Sequence, residues 1–175
     1  MLDSVVSVLT SGEIIAYPSE GVWGLGCDPH NRDAVKKILK IKERSMTKGL
    51  IVVGSRISHL EKFANIKKYE KIFKSKWPGP HTWIFPTDIA PEWITGGSKS
   101  IALRLSNHKI IKIICDAYSG AIVSTSANKE GQKASKTINE VRNNFPDIFY
   151  VKGETGNLEG STPIQDIVSL KWIRR

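Results

Sequence analysis

Residues 14–29 read IIAYPSEGVWGLGCDP, and the fold is best approached from this stretch. The apolar run Ile14–Ala16 is too short for a helix and is closed by Pro18, which predicts a buried strand. Glycines follow at positions 21, 24 and 26, and glycine lets the backbone approach a ligand closely. We therefore expect a strand that leads into a segment, residues 19–29, able to wrap a ligand.

Outward from this stretch, strands and helices alternate along the chain. Such alternation is typical of an α/β domain, and a length of 175 residues suits one domain spanning residues 1–175. The predicted helices are Leu2–Leu9, Ala34–Glu43, Ile57–Phe63, Ile66–Phe73, Lys109–Tyr118 and Ile138–Phe145. The predicted strands after the first are Leu50–Val53, Thr82–Phe85, Ile101–Leu105, Ala121–Thr125, Phe149–Val151 and Asp166–Leu170.

The composition excludes several classes of protein. Hydrophobic residues make up 40% and charged residues 25% of the chain, as in folded soluble proteins. Apolar stretches such as Ile110–Cys115 are far shorter than the roughly 20 residues of a membrane helix, and the N-terminus lacks the features of a signal peptide. We expect a cytoplasmic protein without membrane contact. Cys27 and Cys115 are far apart and the four histidines are scattered, so we expect no protein-bound metal.

A first candidate site is the cation group Lys42, Arg44 and Lys48, at the end of a predicted helix and in the loop after it. Lysine supplies a compact charge and arginine a planar fork of donors, so the group can clamp a polyphosphate. A solvated helix end whose cations offset the helix dipole explains the same spacing. The net charge of +9 favours phosphate-bearing partners without choosing between nucleotides and nucleic acids.

Two further candidates lie on predicted strands. The run Ser124–Asn128 (STSAN) places small hydrogen-bonding side chains at the carboxyl end of an apolar strand, where open α/β sheets bind ligands, although Ser and Asn also form ordinary turns. Arg104 lies between Leu103 and Leu105 and is costly to bury unpaired. Either a protein carboxylate or the carboxylate of a small substrate can be its partner.

Familiar nucleotide-binding and nucleophilic motifs are absent from the sequence. It contains no GxxxxGK[ST] loop and no GxSxG elbow, and the glycines at 21, 24 and 26 do not form a GxGxxG fingerprint. The Ser- and Thr-rich segments with neighbouring cations favour binding and positioning over covalent catalysis.

Four motifs occur in order along the chain: AYPSEGVWGLGCD at 16–28, KxR at 42–44 with Lys48, WPGPHT at 77–82 and STSAN at 124–128. Taken together, they resemble the YrdC/TsaC family of threonylcarbamoyl-adenylate synthases. The resemblance runs from the first helix to the last strand, and the chain length resembles that of the short bacterial form. It implies a twisted, mixed, open sheet flanked by helices around a basic central cavity.

The resemblance also implies roles for individual residues. Lys42 and Arg44 would be catalytic and, with Lys48, would face the phosphates of ATP. Nucleotide binding would add Ser124, Ser126 and Asn128, and substrate binding would involve Ser19, Arg104, Ser124 and Thr162. Ser161 competes with Thr162 for its role. Gly21 stands where the family often has Thr, which removes a possible substrate contact.

The reaction implied by the resemblance joins L-threonine, bicarbonate and ATP into threonylcarbamoyl-AMP and releases pyrophosphate. Mg²⁺ would arrive with the nucleotide, and tRNA threonylcarbamoyl-transfer proteins would receive the product for modification of tRNA next to the anticodon. Direct binding of tRNA by this chain stays open.

Two alternatives are weighed against this function. One is an RNA-binding module that recognises tRNA or double-stranded RNA through Lys67, Lys68, Lys71, Lys74 and Lys76. Tyr69 and Phe73 share the apolar side of that helix and so resemble core residues more than exposed stacking residues. The other is carbamoyl-adenylate chemistry on a different acceptor, as in related domains of hydrogenase maturation proteins.

Overall fold

The computed structural model describes residues 2–175. Within that range nine strands form one sheet in the order β7-β1-β2-β6-β3-β5-β4-β8-β9. The strands are β1 (Ile15–Pro18), β2 (Trp23–Gly26), β3 (Ile51–Gly54), β4 (Thr82–Pro86), β5 (Ser100–Leu105), β6 (Ile122–Ser126), β7 (Phe149–Tyr150), β8 (Ile164–Asp166) and β9 (Trp172–Arg174). The helices are α1 (Leu2–Thr10), α2 (Arg32–Ile41), α3 (Ile57–Leu60), α4 (Glu70–Phe73), α5 (Glu92–Thr95), α6 (Lys109–Tyr118) and α7 (Ile138–Asn144), with a 3₁₀ turn at Ile66–Tyr69.

The sheet is mixed. Strands β1 and β7, β3 and β5, and β4 and β8 pair in parallel, whereas β2 and β6 run antiparallel to their neighbours. Helices flank the sheet, so the predicted fold class, a single-domain mixed α/β sheet, is confirmed.

Local sequence signals set the starts of two helices. The Asn31 side chain accepts hydrogen bonds from the backbone nitrogens of Asp33 (3.1 Å) and Ala34 (3.0 Å), so Asn31 caps the start of α2. At α7, the Thr137 hydroxyl accepts from Glu140 N and the Glu140 carboxylate accepts from Thr137 N, which is a capping box.

One face of the sheet carries the larger core. Because side chains alternate along a strand, residues such as Leu25, Val52, Leu103 and Trp83 point to the same side, where they pack with α2 residues such as Ile38 in one buried cluster. Burial of this many apolar side chains is the main favourable contribution to folding.

The opposite face is only partly covered by helices. Tyr17, Val53 and Ile122 form a second buried cluster with residues of α1 and α6, among them Leu9 and Ile114. Helix α6 packs on β1 and β3, and α1 packs on β1. These two helices leave the face of β5, β4 and β8 open, and the candidate site lies there.

The predicted ligand-wrapping segment 19–29 contains strand β2, and residues 19 and 21–24 of it line the cavity described below. Strands β1 and β2 form a hairpin with Tyr17 opposite Gly24. A Cβ at Gly26 would lie 2.8 Å from a ring carbon of Tyr17, so this glycine makes room for the aromatic ring. Glycine periodicity alone did not distinguish this packing role from a ligand-wrapping loop.

The predicted strand Asp166–Leu170 is also wrong. Residues 167–171 form the turn between β8 and β9, in which the Asp166 carboxylate accepts hydrogen bonds from Val168 N (3.0 Å) and Ser169 N (2.7 Å). The short helix α5 was not predicted, and the helix predicted at Ile57–Phe63 ends at Leu60 as α3.

Candidate active site

A cavity of about 360 Å³ opens on the uncovered part of the sheet. Its walls come from the β1–β2 turn, the loop after α2, strands β2 to β6, the segment before β8, and β9. Six of the predicted site residues line it: Ser19, Arg44, Arg104, Ser124, Ser126 and Thr162. Three others, Lys42, Lys48 and Asn128, lie behind or beside the wall.

The floor of the cavity is a row of side chains across four strands. Ser124 of β6 pairs with Ile51 of β3, Ile51 with Ala102 of β5, and Ala102 with Ile84 of β4. The two-residue period of a strand puts Arg104 on the same face as Ala102. The row is therefore apolar except for Ser124, and Arg104 adds a charged group beside it, as in sites that hold a partly apolar ligand by a few polar groups.

Arg104 is 4% exposed and lies at one end of this floor. Its Nη1 donates to Thr162 Oγ1 (3.1 Å) and its Nη2 to Ser124 Oγ (3.0 Å). The Glu20 carboxylate lies 3.4 Å from Nη2, so a protein carboxylate does accompany the arginine. The Arg104 Nε is buried and has no hydrogen-bond partner among residues 2–175.

A loop closes the cavity above Ser19–Gly21. Gly156 N donates to Ser19 O (2.9 Å) and Leu158 N donates to Glu20 O (2.9 Å). A Cβ at Gly21 would come nearer than 3.0 Å to the carbonyl oxygen of Leu158. The glycine at position 21 is thus required by the close passage of residues 156–160. The Ser19 hydroxyl donates to Val22 O (2.9 Å).

Thr162 and Ser161 both line the cavity at the end of this loop, and Thr162 is the more buried of the two. Thr162 Oγ1 lies 3.0 Å from Thr82 Oγ1, and its carbonyl accepts from Arg174 Nη2 at 2.7 Å. Thr162 is therefore fixed by the strands on either side.

Arg174 of β9 is a cavity residue that the sequence analysis missed. The residue as a whole is exposed, but partial desolvation of its guanidinium lowers its pKa, and Arg104 and Arg44 lower the pKa further because like charges disfavour protonation. The only signal in the sequence was a cation near the C-terminus. Because the strand was wrongly predicted at 166–170, the pairing that brings Arg174 to the cavity could not be predicted. Small polar residues were missed as well, namely Thr47, Ser98 and Ser100.

The three predicted phosphate-binding cations have different environments. Lys42 is 2% exposed, and burial, with Arg44 as a second cause, lowers its pKa to about 8. Its ammonium donates to the backbone carbonyls of Ser126 and Asn128, the latter at 2.6 Å. Arg44 faces the cavity and donates to Gly49 O at 3.0 Å.

Lys48 is exposed and forms an ion pair with Glu130. Beside it, Asn128 organises the loop after β6. Its Oδ1 accepts from Ser126 Oγ (2.6 Å), and its Nδ2 donates to the carbonyls of Lys129 (2.8 Å) and Gln132 (2.9 Å). The STSAN run therefore ends strand β6 and begins an ordered loop at the cavity edge.

Within residues 2–175, no group of three or more His, Cys, Asp and Glu side chains is placed to hold a metal ion. In the same range, none of the helices has the length and apolar character needed to cross a membrane.

Comparison with known proteins identifies the family. The model of the Sua5/YciO/YrdC family, which is described as telomere recombination, matches residues 7–175. This chain belongs to that family. The resemblance inferred from the four motifs is thereby confirmed.

Proteins similar to this chain over nearly their whole length carry one name. A protein of Xanthomonas axonopodis pv. citri is 42% identical over 183 residues, covering 99% of this chain and 96% of its own, and is named threonylcarbamoyl-AMP synthase. A protein of Photobacterium profundum with the same name is 42% identical and is covered to 98%.

Among solved structures, Sua5 of P. abyssi in complex with L-threonine superposes with a TM-score of 0.87 at 26% identity. The match covers 94% of this chain and 50% of that one, so this chain spans about half the length of Sua5.

Proposed function

We propose that this protein is an L-threonylcarbamoyladenylate synthase, a nucleotidyltransferase that forms threonylcarbamoyl-AMP and pyrophosphate from L-threonine, bicarbonate and ATP. The observation that carries the proposal is the buried Arg104 at the end of a cavity, in a chain that matches proteins named for this activity over nearly their full length. A guanidinium that already orients Ser124 and Thr162 is suited to the carboxylate of an amino acid.

Arg104 is assigned to the threonine carboxylate, with the hydroxyls of Ser19, Ser124 and Thr162 around it. The Arg104 Nη1 and Nη2 already hold two of these hydroxyls, those of Thr162 and Ser124, beside the position assigned to the carboxylate. Glu20 balances the charge of the arginine from behind, because its side chain does not line the cavity.

The nucleotide is assigned to the other end of the same cavity. Arg44 faces the cavity and Lys48 lies beside it, where it can exchange Glu130 for a phosphate. Ser126 and Asn128 supply the hydrogen-bonding edge, and Lys42 holds them from behind. Arg174 adds a third arginine to the walls, and Mg²⁺ would arrive bound to ATP.

These groups account for the reaction without a protein nucleophile. The threonine amine attacks CO₂ derived from bicarbonate and loses a proton, which gives a carbamate. A carbamate oxygen attacks the α-phosphorus of ATP, and the bond from that phosphorus to the bridging oxygen breaks as pyrophosphate leaves. Negative charge that accumulates around phosphorus is stabilised by cations already fixed in place.

The product is a mixed anhydride that hydrolyses readily, and it therefore needs an acceptor close at hand. We assign that role to the tRNA threonylcarbamoyl-transfer proteins, in the cytoplasm.

The RNA-binding alternative is less well supported. Phe73 is buried and Tyr69 packs against the same core, so neither is free to stack on bases. Two lysines of the proposed face are also neutralised, Lys67 by Glu61 and Lys74 by Glu70.

The test is turnover by the purified protein with ATP, Mg²⁺, bicarbonate and L-threonine. Pyrophosphate and the mass of the adenylate are measured together, and parallel reactions omit threonine or replace it with serine. Threonine-dependent pyrophosphate with the threonylcarbamoyl-AMP mass is the expected result. Absent or threonine-independent turnover by protein with a cooperative unfolding transition would overturn the proposal, and salt-sensitive tRNA binding would then favour the RNA-binding alternative.

A further inference from the structure

No residue of the WPGPHT motif lines the cavity, yet the motif leads directly into strand β4. The Trp77 indole nitrogen donates to His81 O at 2.7 Å, and Gly79 N donates to Leu105 O at 2.9 Å. The first hydrogen bond closes the turn on itself, and the second ties the turn to the end of β5. The motif therefore fixes the position of its last residue, Thr82.

Thr82 lies on the cavity face of the sheet but is covered. The two-residue period of a strand puts it on the same side as Ile84, which lines the cavity. Thr82 itself is fully buried, and its backbone nitrogen donates to Pro163 O at 3.0 Å in the segment that leads into β8. Its hydroxyl contacts a cavity residue, Thr162, with 3.0 Å between the two Oγ1 atoms.

The hydrogen atoms available decide the direction of this hydrogen bond. A threonine hydroxyl has one hydrogen and two acceptor positions. Among residues 2–175, Thr162 Oγ1 is the one hydrogen-bond partner of the Thr82 hydroxyl. If Thr162 were the donor, the Thr82 hydrogen would stay unpaired inside the protein, and a buried donor without an acceptor is costly. Thr82 is therefore the donor and Thr162 the acceptor.

Both acceptor positions of Thr162 Oγ1 are then occupied. Arg104 Nη1 takes the second one at 3.1 Å, because a guanidinium only donates. The part of this hydroxyl that is left for a ligand is its own hydrogen, and Thr162 lines the cavity. A hydroxyl held in this way donates to an acceptor such as a carboxylate oxygen and does not accept from an ammonium group.

We infer that Thr82 is a positioning residue, which orients the Thr162 hydroxyl so that it donates to the carboxylate of the substrate. Thr82 makes no contact with the substrate and acts through Thr162. The inference rests on the proposed function for the identity of that substrate, L-threonine. It also gives the WPGPHT motif a role, which is to hold a buried donor in place behind the cavity wall.

A positioning role and a purely structural role predict different binding results. If Thr82 acts through its hydroxyl, removal of that hydroxyl lets the Thr162 side chain reorient and weakens the ligand that carries the carboxylate. ATP, which is assigned to the other end of the cavity, should be little affected. A purely structural role would lower thermal stability and leave both dissociation constants unchanged.

The test compares Thr82→Val, which replaces the hydroxyl with a methyl group of similar size, with Thr82→Ser, which keeps the hydroxyl. Isothermal calorimetry measures the dissociation constants for L-threonine and ATP. Thr82→Val is expected to weaken L-threonine about tenfold, which corresponds to about 1.4 kcal/mol, and to change ATP by less than about threefold. Thr82→Ser, and the control Thr10→Val at an exposed threonine of α1, should retain the wild-type affinity for L-threonine.

Three outcomes would overturn the inference. The first is an unchanged affinity for L-threonine in Thr82→Val. The second is an equal loss in Thr82→Ser, which would assign the effect to the methyl group and its packing. The third is an equal loss for L-threonine and ATP in Thr82→Val, which would show a general disturbance of the cavity.

Combination with Thr162→Val tests whether Thr82 acts through that residue. Once the Thr162 hydroxyl is absent, the Thr82 hydroxyl has nothing to orient. The double variant should therefore bind L-threonine as weakly as Thr162→Val alone, so that the two losses are strongly non-additive. A further loss in the double variant, as large as that caused by Thr82→Val in the wild type, would overturn the inference.

A second readout, on the free protein, tests the direction of the hydrogen bond. The buried Thr82 hydroxyl proton should exchange with water slowly enough to give its own NMR resonance, and Thr162→Val should shift that resonance. The Thr162 hydroxyl proton, which reaches the cavity, should exchange too fast to be observed. A slowly exchanging Thr162 hydroxyl proton, without one from Thr82, would reverse the direction and overturn the inference.

The resonance of the Thr82 hydroxyl is observed in the wild-type protein, so this readout stands if Thr82→Val fails to fold. It also separates the inference from the proposed function. Wild-type protein that shows the slowly exchanging Thr82 proton but binds no L-threonine would remove the proposed function, and with it the carboxylate as the ligand, while Thr82 would remain the donor to Thr162.

Discussion

The Glu20 carboxylate lies 3.4 Å from Arg104 Nη2, and both side chains are more than nine-tenths buried. The second oxygen of Glu20 accepts a hydrogen bond of 2.6 Å from the Ser106 hydroxyl. The backbone carbonyl of Glu20 also holds Leu158 of the loop that closes the cavity. Glu20 therefore has two roles: its carboxylate pairs with Arg104, and its backbone carbonyl holds the loop that covers the cavity.

Glu20→Gln is expected to destabilise the fold. The substitution keeps the shape but leaves the Arg104 charge buried without a counter-charge, and breaking a buried pair in this way costs about 3–5 kcal/mol. Urea denaturation measures the free energy of unfolding. The matched control is Glu159→Gln, at an exposed glutamate, which should change that free energy by less than about 0.5 kcal/mol. Equal stabilities for the two variants would show that the pair is not a determinant of stability.

Gly21→Ala should disturb the loop over the cavity. The added methyl group would approach the carbonyl oxygens of Leu158 and Gly160, which are backbone atoms and cannot rotate away. We expect a loss of about 1–3 kcal/mol in the free energy of unfolding, as for other overpacked sites, together with faster hydrogen exchange at the Leu158 amide. Gly120→Ala, where a Cβ meets only ordinary contacts, is the control. Unchanged exchange at Leu158 would mean that the loop has room to spare.

The amphipathic α2, its Asn31 cap and the central strands could be predicted from the sequence, because their signals are local and repeat with the period of the element. Strand β2 could not, because its glycines serve the packing of Tyr17, a partner from another strand. The turn after β8 was wrongly predicted as a strand because Val168 and Leu170 are apolar. In the structure both side chains are exposed, so they do not belong to a buried strand.

The residues of the site that belong to the four motifs could be predicted from the sequence, but their contacts could not. Lys42 and Arg44 are near neighbours in the sequence, and only the tertiary structure shows that Lys42 donates to the Asn128 carbonyl whereas Arg44 lines the cavity. Arg174 was missed because its contact with Thr162 depends on the pairing of β8 and β9 at the end of the sheet. Long-range pairing of this kind leaves no periodic signal in one sequence.

Arg104→Lys should weaken the binding of threonine much more than the binding of ATP. Arginine reaches Thr162 and Ser124 with two nitrogens at once, whereas a lysine ammonium is a single point charge. We expect the dissociation constant for threonine to rise at least about tenfold and that for ATP to change by less than about threefold. Isothermal calorimetry with each ligand measures both, with the exposed Arg142→Lys as control. A larger loss for ATP than for threonine would place the nucleotide, and not the amino acid, at Arg104.

Arg44→Ala tests the phosphate assignment by rate. A fixed cation that stabilises developing charge contributes about 10²–10³-fold to turnover, so pyrophosphate release should fall by roughly that factor while thermal stability is retained. Lys36→Ala, at an exposed lysine of α2 away from the cavity, should keep the full rate. Near-normal pyrophosphate release in Arg44→Ala would remove this residue from the catalytic machinery.

The buried Lys42 should make stability depend on pH in the alkaline range. Burial and the nearby Arg44 lower its pKa from 10.5 to about 8, while Glu130 opposes the shift. Below pH 8 both the folded and the unfolded chain carry the ammonium, and burying that charge is costly. Between about pH 8 and 10.5 the folded chain loses the proton first, so the unfolded chain binds more protons and the free energy of unfolding rises with pH.

Lys42→Met cannot titrate at this position and isolates the effect. Denaturant titrations of wild type and variant at several pH values give the difference between their free energies of unfolding, in which the titration of all other groups cancels. That difference should move in favour of the wild type from pH 8 upward and level off above pH 10.5. A difference that stays constant across this window would mean that the Ser126 and Asn128 carbonyls hold the ammonium firmly enough to offset its burial.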